Sequence, residues 1–144
     1  MWDHRAAAQL PLARSLAARG LKLTLPRLAI VQVLSERAGH LSADEIWQAA
    51  RALYQPLGRA TAFRTIQQLV ELGLLRPIYL GGGRLHYTLI RGGHRHHVVC
   101  VQCGAVTELP GCPLTPPAEE LAAAAGFEVQ GHLVEFFGVC HACR

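Results

Sequence analysis

No run of apolar residues in this chain comes near the ~20 that a membrane-spanning helix needs, although 51% of its 144 residues are hydrophobic. Aromatics are scarce, at 6%, so small aliphatic cores are expected. The opening stretch MWDHRAAAQLPLARSLAARG is charged and alanine-rich, and it lacks the apolar heart of a secretion signal. An intracellular, cytoplasmic protein with no membrane contact is therefore the expectation. Cysteines stay reduced in that compartment, so paired Cys-x-x-Cys spacings favour metal binding over disulfides.

What is present is unevenly spread. Residues 1–90 hold eleven Lys/Arg against five Asp/Glu, a net +6, and residues 91–144 hold three against five, a net −2; together they give the +4 of the whole chain. Five of the eight histidines follow residue 90. A basic first part suits a polyanion such as DNA, or is a generic basic surface. Two compositional halves predict two domains, 1–90 and 91–144, that meet near IRGG at 90–93.

The first half reads as short helices and then a hairpin. Residues 14–20 suggest a helix stopped at Gly20. Thr24 before Pro26, with Leu28, Val31 and Leu34 behind it, marks a helix start. Ser42 and Glu45 in SADE have the spacing of a capping box. A third helix is expected from about Thr61, with Phe63, Ile66, Leu69 and Val70 on one face and Gly73 as its stop. RPIYL, GGG and RLHYTLI then read as strand, turn, strand. Three helices and a hairpin make a winged helix-turn-helix, whose third helix would enter the major groove. Arg59, Thr61, Phe63, Arg64 and Thr65 are its candidate DNA contacts, with Lys22 and Arg27 placed to reach the backbone or minor groove.

The second half carries the densest signal. Cys100-x-x-Cys103 and Cys140-x-x-Cys143 are matching pairs with 36 residues between them. Two such turns supply four thiolates for one tetrahedral ion, and soft thiolates in a closed shell favour zinc in a structural role. A redox dithiol would sit in a strand-then-helix setting, absent around both pairs. Between the pairs the chain reads β-β-α-β-β, the helix being TPPAEELAAAAG. In HRHH, an extended segment would turn His94 and His96 to one face and His97 to the other, so one ion could not readily take all three.

GLKLTLPRLAIVQVL (20–34), HLSADEIW (40–47), ATAFRTIQQLVELGLL (60–75), HRHHVVCVQCGAV (94–106) and the closing GVCHAC resemble the ferric uptake regulator superfamily, over about residues 20–143. The resemblance implies an α+β protein with an N-terminal winged helix-turn-helix domain and a small α/β dimerisation domain holding structural zinc. It implies a homodimeric, metal-responsive regulator of operator DNA, usually a repressor. GFEVQGHLVEFFGVCHAC is most similar to the zinc-uptake branch.

Carried over by position, Cys100, Cys103, Cys140 and Cys143 match the structural zinc ligands. A second, regulatory divalent ion, with zinc favoured over iron or manganese, falls to His40, His86, His97 and Glu108. Arg95 stands where a further ligand is usual, and a guanidinium cannot ligate. An additional site matches His94, His96 and His132. Its acidic position falls on Thr115, for which Cys112, Glu119 or water could substitute. Cys112 is otherwise expected to be an inert loop thiol, and His141 and His4 exposed bystanders. A peroxide sensor of the same superfamily would prefer an acid where His86 stands. A zinc-dependent hydrolase or deaminase would need an open metal position and a separate base, and no His-Glu-x-x-His or deaminase pattern occurs.

Overall fold

Apolar spacing in the first ninety residues resolves into five helices and a three-stranded sheet. The helices are α1 (His4–Ala7), α2 (Pro11–Ala18), α3 (Leu25–Glu36), α4 (Ala43–Leu53) and α5 (Arg59–Glu71). The strands are β1 (His40–Ser42), β2 (Leu75–Leu80) and β3 (Arg84–Leu89), in the order β1-β3-β2 with both pairings antiparallel. The computed structural model describes residues 1–80, 83–90, 96–112, 114–129 and 134–144. The chain divides into two compact units, Met1–Ile90 and Arg91–Arg144.

Local chemistry sets the helix boundaries of the first unit. The Ser42 hydroxyl accepts from the Glu45 backbone N–H at 3.1 Å, and the Glu45 carboxylate accepts from the Ser42 N–H at 2.7 Å. This reciprocal pair starts α4 and fixes where β1 ends. Gly73 ends α5 at φ +70°, the left-handed geometry that a glycine adopts without steric cost. The Leu74 N–H reaches the Leu69 carbonyl and the Gly73 N–H the Val70 carbonyl, which satisfies two groups at the helix end. Thr24 precedes α3 but makes no side-chain cap.

The helix expected from Thr61 starts earlier, at Arg59 behind Gly58. Its buried stripe is Ala62, Thr65, Ile66 and Leu69, so Phe63 lies at the edge of the core rather than within it. Leu16, Ile30, Ile46, Ile66, Leu69 and Leu75 are essentially inaccessible to water. Burial of each such side chain contributes about 1.5–3 kcal/mol before entropy is counted, so one continuous core holds this unit.

The second unit has β4 (His96–Cys100), β5 (Val106–Leu109), α6 (Thr115–Ala124), β6 (Phe136–Gly138) and a final 3-10 turn at His141–Cys143. β4 is central, antiparallel to β5 and parallel to β6. Two strands were expected after α6; among the described residues there is one, because only Phe136–Gly138 finds a ladder partner. Val99 and Cys100 are the buried apolar residues among those described here, and α6 buries none.

Candidate metal centres and nucleic-acid interface

The two Cys-x-x-Cys turns come together through backbone bonds. At the end of β4 the Gly104 N–H reaches the Cys100 carbonyl at 2.9 Å, closing the first turn, and the Cys143 N–H reaches the Cys140 carbonyl at 3.0 Å, closing the second. The Val101 N–H bonds to the Gly138 carbonyl at 2.8 Å, which holds the turns side by side. The four sulfurs lie within 4.8 Å of one another, with Cys103 and Cys140 Sγ 3.7 Å apart. A tetrahedral zinc with bonds of about 2.3 Å sets its thiolates about 3.8 Å apart, so the cage fits the ion. The Cys140 N–H also donates to Cys100 Sγ at 3.3 Å. Backbone N–H groups of Cys103 and Cys140 pull the Cys100 thiol down to about 6, and Cys143, whose thiol bonds to Cys140 and Cys103, is pushed up to about 12. One thiolate is thus favoured without an ion; a divalent cation is what stabilises four.

In the first unit, β1 and β3 bring His40 and His86 together. Register pairs Ser42 with His86, so His40 is its diagonal neighbour on the same face. The two Nδ1 atoms are 2.8 Å apart. One ring must donate and the other accept, unless a cation takes the place of the shared proton. Burial lowers the His40 pKa, the facing His86 lowers it further, and Glu45 acts against both. The neutral, ligating form of His40 is therefore favoured. Glu45, whose carboxylate caps α4 by accepting from the Ser42 N–H, is the acid whose charge is felt at His40.

In the second unit, His97 and Glu108 are directly opposed across β4 and β5. His97 Nε2 and Glu108 Oε2 are 3.7 Å apart, beyond a hydrogen bond but within reach of a common ion held ~2.0–2.2 Å from each. The neighbouring His96 is buried, 2% exposed. Its Nδ1 lies 3.3 Å from the Val134 carbonyl, and its Nε2 lies 3.0 Å from Cys112 Sγ. A carbonyl only accepts, so Nδ1 carries the proton and the Nε2 lone pair faces the sulfur. The Thr115 hydroxyl donates to the same sulfur at 3.4 Å. Cys112, read as an inert loop thiol, is thus engaged by two polar side chains. Spacing gave no sign of this, because 16 residues separate the partners. His94, Arg95 and His132 lie outside the described residues.

The DNA-contact candidates separate into distinct groups. Lys22 and Arg64 are exposed, and Thr61 is half-buried. Thr65 corrects the sequence reading: it is 5% exposed and its hydroxyl bonds to the Thr61 carbonyl at 2.9 Å. It shares the buried face of α5 with Ala62, Ile66 and Leu69, where the helix's own backbone satisfies the hydroxyl. Arg27 donates to Gln68 Oε1 at 3.0 Å and to the Lys22 carbonyl, bracing α3 against α5. Arg59 forms a forked pair with Asp44, at 2.9 and 3.2 Å, and its guanidinium lies 4.5 Å from the centre of the Phe63 ring. The Asp44 bond holds the Arg59 pKa above its usual value.

Comparison with known proteins gives a consistent outcome. The family model described as "Ferric uptake regulator family" matches residues 18–137. The ferric uptake regulation protein of Legionella pneumophila is 33% identical over 126 residues, covering 87% of this chain and 93% of that protein. The ferric uptake regulator from Pseudomonas aeruginosa with manganese superposes with a TM-score of 0.71 at 28% identity, over 92% of this chain and 99% of that one. A zinc uptake regulator complexed with zinc and DNA gives 0.70 at 25% identity, over 99% and 96%.

Proposed function

The chain belongs to the ferric uptake regulator family of metal-responsive, DNA-binding transcription regulators, and from that premise we propose that it is a homodimeric repressor that answers to zinc. Cys100, Cys103, Cys140 and Cys143 hold a permanent structural zinc. His40, His86, His97 and Glu108 hold the regulatory ion. The observation that carries this reading is that each unit preassembles half of a ligand set: an imidazole pair in the first and an imidazole with a carboxylate in the second. A fourth group, His96 with Cys112, takes a further ion together with His94 and His132; there the thiolate replaces the missing acid.

A homodimer is supported by what the second unit fails to bury. Leu121 is 74% exposed and Phe127 73%, and Phe136, Phe137 and Val139 are also open to solvent. A second copy of the same sheet and helix would cover them. Lys22, Arg59, Thr61, Phe63 and Arg64 line the DNA-facing side of the winged unit, with Arg27 behind them as a brace. An ion that binds both ligand pairs joins the reader helix to the dimer-forming unit. It favours DNA binding only by its higher affinity for the DNA-competent arrangement. A few kcal/mol of that difference reverses a ~1:10 balance. Three imidazoles and one carboxylate suit zinc better than iron or manganese.

The test is retention of a randomised duplex pool by the dimer at buffered free zinc, iron(II) and manganese(II). Zinc is expected to switch on binding at the lowest free concentration, and His97→Ala or Glu108→Ala to abolish the response while the dimer stays folded. A switch driven first by iron or manganese refutes the zinc assignment, and a full response in either variant refutes the site.

A further inference from the structure

We propose that Asp44 sets how selectively α5 discriminates among DNA sequences, by latching the Arg59 guanidinium onto the Phe63 ring. Arg59 is the first residue of α5. A cation there opposes the positive end of the helix dipole, so the position needs a counter-charge. Asp44, in the first turn of α4, supplies it. Arg59 Nε donates to Oδ1 at 2.9 Å and Nη2 to Oδ2 at 3.2 Å, a parallel fork that fixes the plane of the guanidinium. One turn along α5, the Phe63 ring lies beneath that plane, 4.5 Å away. One edge of the group is therefore tied and one face covered, which leaves the Nη1 edge.

Stability does not account for this arrangement. The side chains are 56% and 53% exposed, and ion pairs so open to water contribute little. The consequence lies in the field that DNA meets. A loose arginine at the head of the reader helix attracts any phosphate, whatever the sequence. A paired one carries little net charge and offers its donors in one direction. Asp44 itself repels phosphate, so a carboxylate at this place costs affinity for all DNA. Selectivity is the ratio of specific to non-specific binding, and the latch lowers the second more than the first. Asp44 is thus a positioning residue that acts through Arg59.

This rests on the reading of α5 as the DNA-entering helix, and the experiment separates the two. The metal-loaded full-length protein first enriches a preferred sequence from a randomised duplex pool. Wild type, Asp44→Asn, Arg59→Ala and the double variant are then titrated with salt on that sequence and on a scrambled duplex. Asp44→Asn is expected to bind the scrambled duplex several-fold more tightly. Its log–log salt dependence should steepen by about one unit, the release of roughly one further counterion. The preferred-to-scrambled ratio should fall about fivefold or more, the scale of one lost directional contact. With Arg59→Ala in place, Asp44→Asn should leave the ratio unchanged; with Arg59 present, Asp44→Glu, which keeps the carboxylate, should retain part of the wild-type ratio. Thermal melting reports whether each variant is folded. An unchanged ratio in Asp44→Asn, equal weakening on both duplexes, or the same loss with Arg59 absent overturns the proposal. A wild type that enriches no sequence refutes the DNA reading itself, and this inference with it.

Discussion

The first unit has a hydrocarbon core, and the second has a cluster of four thiols. Met1–Ile90 packs a continuous aliphatic core from Ala7 to Leu75, whereas the described part of Arg91–Arg144 buries Val99, Cys100 and the imidazole of His96. A unit of fifty-four residues whose described part buries so little apolar surface is at the size where a core alone rarely suffices. Four clustered thiols supply the missing constraint once an ion is bound, since ion binding there is folding free energy. One chain thus uses two routes to order, and they should fail under different treatments.

The sharpest way to break this contrast is Cys100→Ser. It should release the caged zinc and unfold the second unit, a loss of many kcal/mol by the scale of structural zinc sites, while the helical circular dichroism of the first unit persists. A variant that kept its zinc and its melting profile would show that the cage does not hold this unit.

Leu69→Ala is the mirror experiment. Leu69 is 1% exposed within the core, so its truncation should cost about 2–5 kcal/mol. The effect should appear in the first unit's melting with zinc content unchanged. Equal loss in both units would mean that they fold as one.

The smallest effect comes from pH. The folded-state His40 pKa lies below the ordinary 6.5. The unfolded chain therefore takes up a proton before the folded one, and stability falls as pH drops from about 6.5 through His40's lowered value. Without regulatory metal, the melting temperature of the first unit should decline over that window, and His40→Gln should flatten the decline. An identical pH profile in the variant would assign the dependence to other groups.

Much of the fold was legible because its signals are local. Ser42 and Glu45 three residues apart announce a capping box, and Gly73 announces a helix end, through bonds that span one turn. The Cys-x-x-Cys repeat announces a cage, because two short turns need only be brought face to face. The same reasoning misplaced Thr65, since a polar side chain on the face of Ala62, Ile66 and Leu69 can be buried when the helix's own carbonyl takes its hydroxyl. It also left Cys112 idle, because its meeting with His96 joins residues 16 positions apart, one on β4 and the other between β5 and α6.

The order of residues alone determined the capping box that starts α4, the glycine that ends α5, which half is basic, and which four thiols share a spacing. Those properties depend on neighbours within a few positions, and backbone geometry decides them. Tertiary structure alone decided that the His40 and His86 nitrogens face each other, that Asp44 grips Arg59 above Phe63, and that His96 aims its lone pair at a sulfur. Each joins residues far apart in the chain, through strand register, where a slip of one residue sends a side chain to the opposite face, or through the packing of one element on another.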